Sequence, residues 1–286
     1  MSMLRALMIG DVVGDPGLEA LETRLPGLIQ EKAADFVVVN GENAAGGFGI
    51  TETAFRRILA AGADVVSSGN HVWEKRDFWP VLETESRALR PANYPPGTPG
   101  RGWVRLEKTA AGGRPVSWLV VNIQGRELMS PIDCPFRCFD NILAEQGPPA
   151  DLFHSLYNSE GNLPAGLRGP GDIILVDFHA ESTREKEALA WYLDGRVSLV
   201  TGTHTHVQTA DERILPLGTG YITDLGMTGV TRSVIGMDPK ICLDRARSQV
   251  LYRMECAEGT GGVQGVLAEI DGETGKTLTL ERIFRA

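Results

Sequence analysis

Four of the five histidines in this 286-residue chain end short apolar runs and stand beside other side chains that can bind a metal ion. His71 ends "ADVVSSGNH", His179 ends "DIILVDFH", and the pair His204 and His206 ends "RVSLVTGTHTH". A single histidine is usually structural, but the repeated placement favours metal binding. The fifth, His154, lies in the irregular stretch "DLFHSLY", and we interpret it as structural.

Oxygen-bearing side chains follow the same kind of apolar run and complete a candidate ligand set. Asp11 follows the first run, Glu42 and Asn43 follow the second, and Asn70 directly precedes His71. Taken alone, each is equally compatible with an ordinary cap or polar turn. Without a thiolate, the set excludes a closed structural zinc site, and carboxylate with imidazole suits Mn²⁺, Fe²⁺ or Zn²⁺.

Seven candidate ligands exceed what one ion needs, so we predict two ions that share a bridging carboxylate. Two ions about 3.5–4 Å apart activate a water molecule and stabilise the attacking and leaving oxygens during phosphate-ester hydrolysis. His204 and His206 would share one face of an extended strand, so a strand end or turn can present them to neighbouring ions.

A sheet must bring these residues together, and the chain alternates apolar with amphipathic segments as an α/β fold does. Because strands of an open α/β sheet turn their carboxyl ends towards a common crevice, we expect residues far apart in the chain to converge there. Strands are predicted at residues 4–10, 35–43, 63–71, 103–108, 116–126, 172–179 and 196–206. We expect a single domain over residues 1–286, with 127–170 as an excursion.

Helices are predicted from their start signals and amphipathic spacing. Asp15 is the expected N-cap of the first helix with Pro16 at its first position, and Thr51 caps a second helix that ends near residue 61. Helical segments are also expected at 74–85 and 139–146, and after the capping box that Ser182 forms with Glu185. The C-terminal third is predicted as short strands with turns, closing on a hairpin around residues 272–275.

Composition excludes several classes of protein. The net charge of −9 and the lack of a basic run argue against binding to DNA or long RNA. No run reaches 18 apolar residues and the N-terminus has no small-residue cleavage site, so we expect a cytoplasmic protein without membrane association. The four cysteines are expected to be reduced structural thiols.

Six segments match one known family in order and spacing: "GDVVGDPG", "NGENAAGGFG", "SSGNHVWEKR", "LRPANYP", "VDFHAESTREK" and "GTHTHVQTAD". They resemble the YmdB-like family of calcineurin-like metallophosphoesterases, from about residue 4 to residue 240. The resemblance implies a four-layer αββα sandwich with a dinuclear metal site at the strand ends. It further implies a phosphodiesterase that acts on small cyclic nucleotides such as 2′,3′-cyclic AMP, through in-line attack of a metal-held hydroxide on phosphorus.

The resemblance also implies a role for each candidate residue. It implies that Asp11, Glu42 and His206 bind one ion. Glu42 would bridge to the second ion, which Asn70, His179 and His204 would also bind. Asn43 is similar to a further ligand or supporting residue, and His71 to a histidine that faces the scissile phosphate. Because His71 is surplus to the ligand count and imidazole titrates near neutral pH, we predict that it protonates the leaving oxygen.

Two departures from the wider superfamily are shared with the YmdB-like branch. The usual Asp-x-His opening is Asp11-Val12-Val13, and the usual bridging aspartate is Glu42. Loss of an imidazole makes the first ion's site richer in oxygen. That change leaves the preferred metal open; two divalent ions are expected, iron or manganese first, with zinc or magnesium as alternatives.

Some features stay open at the level of sequence. The segment "GYITDLGMTGV" at 220–230 either contacts base or ribose beside the metals or simply connects strands, and Arg126 is either a phosphate contact or a surface residue. A phosphomonoesterase or protein phosphatase would use the same ligands. A metal- or nucleotide-binding regulator would instead act through a partner, using 127–170 and "RPANYPPGTPG" as its surface. We also expect a homo-oligomer.

Overall fold

The computed structural model describes residues 3–110, 113–146 and 172–286. The strands in this part of the chain are β1 (Met3–Ile9), β2 (Asp11–Val12), β3 (Phe36–Asn40), β4 (Val65–Ser67), β5 (Trp103–Thr109), β6 (Pro115–Gln124), β7 (Asp172–His179), β8 (Leu199–Thr203), β9 (Arg213–Ile214), β10 (Gly220–Ile222), β11 (Met227–Val230), β12 (Gly261–Asp271) and β13 (Thr277–Arg285). The helices are α1 (Gly14–Lys32), α2 (Glu52–Ala60), α3 (Trp79–Thr84), α4 (Pro135–Gln146), α5 (Thr183–Leu193) and α6 (Pro239–Ser248).

The strands form two sheets. The first has seven strands in the order β2-β11-β12-β1-β3-β4, with β13 paired to β12. The second has six strands in the order β5-β6-β7-β8-β10-β9. Within each sheet the strands that carry the candidate ligands are parallel, β1 with β3 and β4 in one and β6 with β7 and β8 in the other. Their carboxyl ends therefore lie at one edge of each sheet.

Alternation along the strands divides the buried residues into layers. In β3, Val37 and Val39 pack with α1 and α2, whereas Phe36 and Val38 pack between the two sheets. Phe36 stacks on Trp118 of β6 at a centroid distance of 4.7 Å. Alternate residues of β6, such as Leu119, pack instead with α4 and α5. The result is the four-layer αββα sandwich that the family resemblance implies.

The predicted N-cap of α2 is confirmed, and the predicted capping box of α5 is confirmed only at its N-cap residue. Thr51 caps α2 by accepting a hydrogen bond from the backbone N–H of Ala54 (3.2 Å). Ser182 likewise caps α5 through Glu185 N (3.2 Å). The Glu185 carboxylate does not complete a capping box, because it accepts the backbone N–H groups of Arg126 (2.9 Å) and Glu127 (3.0 Å).

Two other helix predictions are wrong. Asp15 is not the N-cap of α1: Val13 occupies that position, and its backbone N–H is still held by the Thr228 carbonyl (2.9 Å). Sheet pairing thus runs up to the first helical residue, and Asp15 falls in the first turn. The C-terminal third also contains a helix, α6, where only strands and turns were expected; Asp238 caps it and Pro239 is its first residue.

Candidate metal centre

All eight predicted site residues meet where the two sheets present their carboxyl ends. Asp11, Glu42, Asn70 and His71 come from the first sheet, and His179 and the pair His204 and His206 come from the second. Ligand atoms of Asp11, Glu42 and His179 all lie within 4.8 Å of one another. Asn43 joins the group through His206 Nε2, 3.3 Å from its side-chain oxygen.

A chain of hydrogen bonds sets the tautomer of His179. Thr203 Oγ1 donates to Asp177 Oδ1 (2.7 Å), so it accepts from His179 Nδ1 (3.0 Å). The proton on Nδ1 leaves Nε2 with a lone pair. Asn40 and Ser67 donate to the other oxygen of Asp177, so the whole network is buried and satisfied. Such outer partners orient metal-binding imidazoles in known sites.

Other acceptor atoms crowd around the bare Nε2 of His179. Glu42 Oε2 lies 2.5 Å away, Asn70 Oδ1 3.1 Å and His204 Nδ1 3.0 Å. His204 turns its other nitrogen, Nε2, towards Glu181 Oε2 (3.1 Å), which leaves Nδ1 as its free lone pair. Converging lone pairs repel one another unless a cation lies among them.

The same pattern recurs at His206. Its Nδ1 donates to the carbonyl of Ile235 (2.8 Å), so its Nε2 carries a lone pair. The Asn43 amide is oriented by a bond from Nδ2 to the Gly47 carbonyl (2.8 Å), which turns Oδ1 towards that lone pair. Two acceptors thus face each other at 3.3 Å.

Two buried carboxylate oxygens without hydrogen-bond partners indicate that a cation fits this site. Among the described residues, Asp11 Oδ1 and Glu42 Oε2 are buried with no hydrogen-bond partner. Burial raises the pKa of Asp11 to about 6 against the opposing effect of His206 and His179, and it also raises the pKa of Glu42. Burial lowers the pKa of His179 to about 3 and that of His204 to about 4, so both imidazoles are neutral ligands at neutral pH. These residues fit a divalent metal.

The turn that carries the two histidines has an unusual backbone. β8 ends at Thr203, and His204 (φ 101°) and His206 (φ 64°) both adopt left-handed conformations. Thr205 between them is held by Asp224 Oδ2, which accepts from its N–H (3.1 Å) and its hydroxyl (2.8 Å). Strained backbone of this kind is typical of functional sites. The pair therefore sits on a turn and not within the strand.

A cavity of about 740 Å³ opens beside the metal-candidate residues. Its polar lining includes Asn43, His71, Glu181, His204 and His206. The His71 side chain is 27% exposed, against 1% for His179, and it lies edge-on to Phe48 at 5.0 Å. Its backbone N–H, rather than its ring, contacts Glu42 Oε1 (2.6 Å). His71, His204 and His206 therefore all line the cavity, but the ring of His71 is not among the converging acceptor atoms of His179, His204 and His206.

The structure resolves both of the open sequence features. Within the described part of the chain, no residue of 220–230 lines the cavity; this stretch lies behind the histidine turn, where Asp224 supports it. Arg126 lines a different depression, beside Glu127 and Arg184, so no contact with phosphate at this cavity is expected of it. His154 lies outside the described residues.

Sequence reasoning missed Glu181 and the cavity lining from α6. Glu181 stood inside a recognised segment, two residues after His179, but nothing local indicated its contact with His204. Cys242, Arg245 and Ala246 of α6 also line the cavity. The pair Asp238-Pro239 is a usable helix-start signal, but the segment was predicted as strands and turns.

Comparison with known proteins shows which family the chain belongs to. A family model described as YmdB-like protein matches residues 7–283. The chain belongs to the YmdB-like family. A relative from Bacillus subtilis (strain 168), named 2′,3′-cyclic-nucleotide 2′-phosphodiesterase, is 42% identical over 98% of this chain and 97% of its own length. This family membership confirms the resemblance found in the sequence.

Solved structures agree. A hypothetical protein from Thermus thermophilus is 40% identical, covers 98% of both chains and superposes with a TM-score of 0.83. The calcineurin-like phosphoesterase YfkN from Bacillus subtilis, only 12% identical, covers 99% of this chain and 90% of its own with a TM-score of 0.59, and shows the shared fold. This YmdB-like chain is therefore a phosphoesterase with a candidate metal-binding group at its strand ends. None of its described helices has the length and apolar character to cross a bilayer.

Proposed function

We propose that the chain is a metal-dependent phosphodiesterase that hydrolyses small cyclic nucleotides such as 2′,3′-cyclic AMP. The observation that carries the proposal is the convergence of metal-capable oxygen and nitrogen atoms on His179 Nε2, beside a cavity large enough for a small ligand. The name of the relative that is 42% identical supports the choice of a 2′,3′-cyclic ester.

The contacts support two ion sites with the predicted ligands. Glu42, Asn70 and His204 surround His179, and these four form the proposed second site. Asp11 and His206, with Asn43 beside them, form the proposed first site, and Glu42 serves both. Oxygen-rich coordination with imidazole suits iron or manganese, with zinc or magnesium as alternatives. When bound, such ions lower the pKa of water and offset the charge that builds on the phosphoryl oxygens.

The chain's own residues then account for binding and proton transfer. Hydrolysis adds water across the P–O2′ bond, so a new P–O bond forms and the departing O2′ must gain a proton. His71 lies on the cavity wall, held against Phe48, and we assign it as the donor of that proton. Buried Asp177 and Thr203 keep His179 in the tautomer that binds metal and take no proton from the substrate.

The test uses the full chain, stripped with a chelator and reloaded separately with Mn²⁺, Fe²⁺, Zn²⁺ and Mg²⁺. Each form is assayed with 2′,3′- and 3′,5′-cyclic nucleotides and with nucleoside monophosphates, and ³¹P NMR identifies the products. We expect metal-dependent conversion of 2′,3′-cyclic AMP into adenosine 3′-phosphate. Turnover of monophosphates alone would instead assign a phosphomonoesterase.

Variants of the ligands separate an enzyme from a regulator. Asp11→Asn and Glu42→Gln keep the size of each side chain but remove a charge needed for metal binding. We expect both to lose metal and turnover while circular dichroism stays unchanged. A biological effect that persisted in both variants would favour a regulator acting through a partner. Three predictions rest on sequence alone: a cytoplasmic location, a homo-oligomer and no binding to long nucleic acid. Light scattering on the purified protein tests the oligomeric state.

A further inference from the structure

The cavity beside the metal-candidate residues has two kinds of lining. Its polar part includes His71, His204 and His206, the Asn43 carboxamide and the Glu181 carboxylate. The remainder is apolar and consists of Phe48 together with five residues from later in the chain, Ile235, Met237, Cys242, Ala246 and Met254. A site that only had to hold a phosphate would not need this second part.

The apolar lining has its own packing, separate from the three main cores. Met237 is buried with Val13, and Phe48, Cys242 and Met254 pack against this small cluster. It also touches the loop that orients Asn43: a Cβ added at Gly47 would lie 2.8 Å from Met237 Cε, and the Gly47 carbonyl holds the Asn43 amide. The apolar lining is thus fixed relative to the metal-candidate residues.

Helix α6 contributes one face to the same cavity. Cys242, Arg245 and Ala246 share that face because they are three and four positions apart. None of the residues of α6 is buried, so the helix adds little to the main cores. Its one inward face is the lining of this cavity.

Arg245 provides a cation in this otherwise apolar part. Among the described residues that line the cavity, Arg245 is the only one that is a lysine or an arginine. Its Nη1 donates to the Tyr252 carbonyl (3.1 Å), which orients a group that has five N–H donors in total. The guanidinium therefore keeps donors that a ligand in the cavity can use.

We infer that Arg245 and the apolar lining form a nucleobase site, so that they determine which phosphate esters the enzyme accepts. This inference rests on the proposed function. A nucleobase has an apolar face, which suits the side chains of methionine and phenylalanine, and a polar edge with acceptors, which suits a guanidinium. The phosphate of the same molecule lies at the metal-candidate residues.

The test compares an ester with a base against one without. Arg245→Ala should raise KM for 2′,3′-cyclic AMP by about tenfold or more, the loss expected when a charged hydrogen-bond donor is removed. KM for glycerol 1,2-cyclic phosphate, which has the same reacting ring but no base, should be unchanged. Met254→Gln, which keeps length but adds polarity, should show the same selectivity. Arg247→Ala and Leu243→Gln, on exposed parts of the same helix, are the controls.

Calorimetry of Mn²⁺-loaded protein provides a readout that does not depend on turnover. Arg245→Ala should weaken binding of adenosine 3′-phosphate by a similar factor and leave binding of inorganic phosphate unchanged. Equal loss for both ligands would place Arg245 on the phosphate, and no loss for either would remove it from the site; each overturns the inference. If the wild type turned over neither ester, the proposed function would fail, and the two binding measurements would still decide the base site.

Discussion

His71 is separated from the other three site histidines by its surroundings. His179, His204 and His206 each use one ring nitrogen on a protein acceptor and turn the other towards a buried acceptor cluster. His71 Nδ1 lies 3.5 Å from Glu74 Oε1, and the ring packs against Phe48 on the cavity wall, outside that buried cluster. Four residues of one type thus divide into proposed ligands and a proposed proton donor, according to which donors and acceptors lie nearby.

Substitution of His71 tests that division. His71→Ala should lower kcat for 2′,3′-cyclic AMP by about 10²–10⁴-fold, the usual contribution of a general acid. Turnover of bis(p-nitrophenyl) phosphate should fall less, because its leaving group needs no protonation. Metal content, measured by elemental analysis, should stay at the wild-type value. Unchanged kcat with full metal content would rule out the proton-donor role.

Gly69 shows how tightly the proposed ligands are packed. A Cβ at this position would lie 2.1 Å from Glu42 Oε2 and 2.2 Å from the nearest atom of the His179 ring. Neither side chain can move away, because both are buried.

We therefore expect Gly69→Ala to weaken Mn²⁺ binding by about tenfold or more, comparable to the loss when an outer partner of a ligand is removed. Isothermal titration would measure it. Gly27→Ala is the matched control, since a Cβ there meets nothing within 4 Å; it should leave Mn²⁺ binding unchanged and raise the free energy of unfolding by up to about 1 kcal/mol, because alanine favours a helix. Wild-type affinity in Gly69→Ala would show that Glu42 and His179 are not ligands.

At the scale of secondary structure, the histidine turn depends on a buried ion pair behind it. Lys186 of α5 donates to Asp224 Oδ2 (2.7 Å), and both side chains are 1% exposed. Asp224 also accepts from Thr205, the residue between the two histidines, and from Gly226 N (2.9 Å). One carboxylate thus links a helix, the turn and the connection between the two sheets.

The two members of this pair should not respond equally to substitution. Asp224→Ala leaves the Lys186 ammonium buried without its partner, so the free energy of unfolding should fall by ~3–5 kcal/mol. Lys186→Met leaves Asp224 with its Thr205 and Gly226 donors and should cost less. Urea denaturation measures both. The exposed pair of Lys240 with Asp244 is the control, and Lys240→Met should change stability by no more than about 0.5 kcal/mol. Equal costs for both members would contradict this account.

At the scale of the whole molecule, metal binding and stability are linked. The folded chain without metal buries Asp11 and Glu42 with orphaned oxygens, and any ion that binds only the folded state stabilises it. The pKa of Asp11 lies near 6 in this state, above its ordinary value of 3.8. The proton that Asp11 holds below about pH 6 must leave before a metal binds.

The stabilisation by Mn²⁺ should therefore depend on pH. His179 and His204, with pKa values of about 3 and 4, are already neutral at pH 5, so these two imidazoles do not produce the dependence whereas Asp11 does. The rise in Tm on adding Mn²⁺ should be larger at pH 7.5 than at pH 5. Without metal, the pH dependence of stability that Asp11 produces has the opposite sign, because its pKa is higher in the folded chain than in the unfolded chain. Its contribution to the free energy of unfolding is complete below pH 3.8 and is lost as pH rises through about 6. Asp11→Asn should reduce the Mn²⁺ effect at both pH values. The same rise in Tm at pH 5 and pH 7.5 would contradict the link.

The sequence by itself determined the layers, the class of enzyme and the identity of the candidate site residues. The continuous apolar runs of β3 and β6 require burial on both faces of each strand, and parallel strands require their polar ends to converge. Those constraints act through local spacing, so Asp11, Glu42, Asn70 and His179 could be found before the structure was known. The family motifs added the enzyme class, which the comparisons confirm.

Only the tertiary structure decided how those residues differ from one another. The tautomers of His179, His204 and His206 depend on Thr203, Glu181 and the Ile235 carbonyl, and the last is 29 residues from its partner. The left-handed backbone of the histidine turn depends on Asp224, and the cavity depends on a helix that the sequence reading missed. Hydrogen-bond partners and cavity linings come from segments that are distant in the chain, so local spacing can indicate a helix but does not indicate which segments pack together.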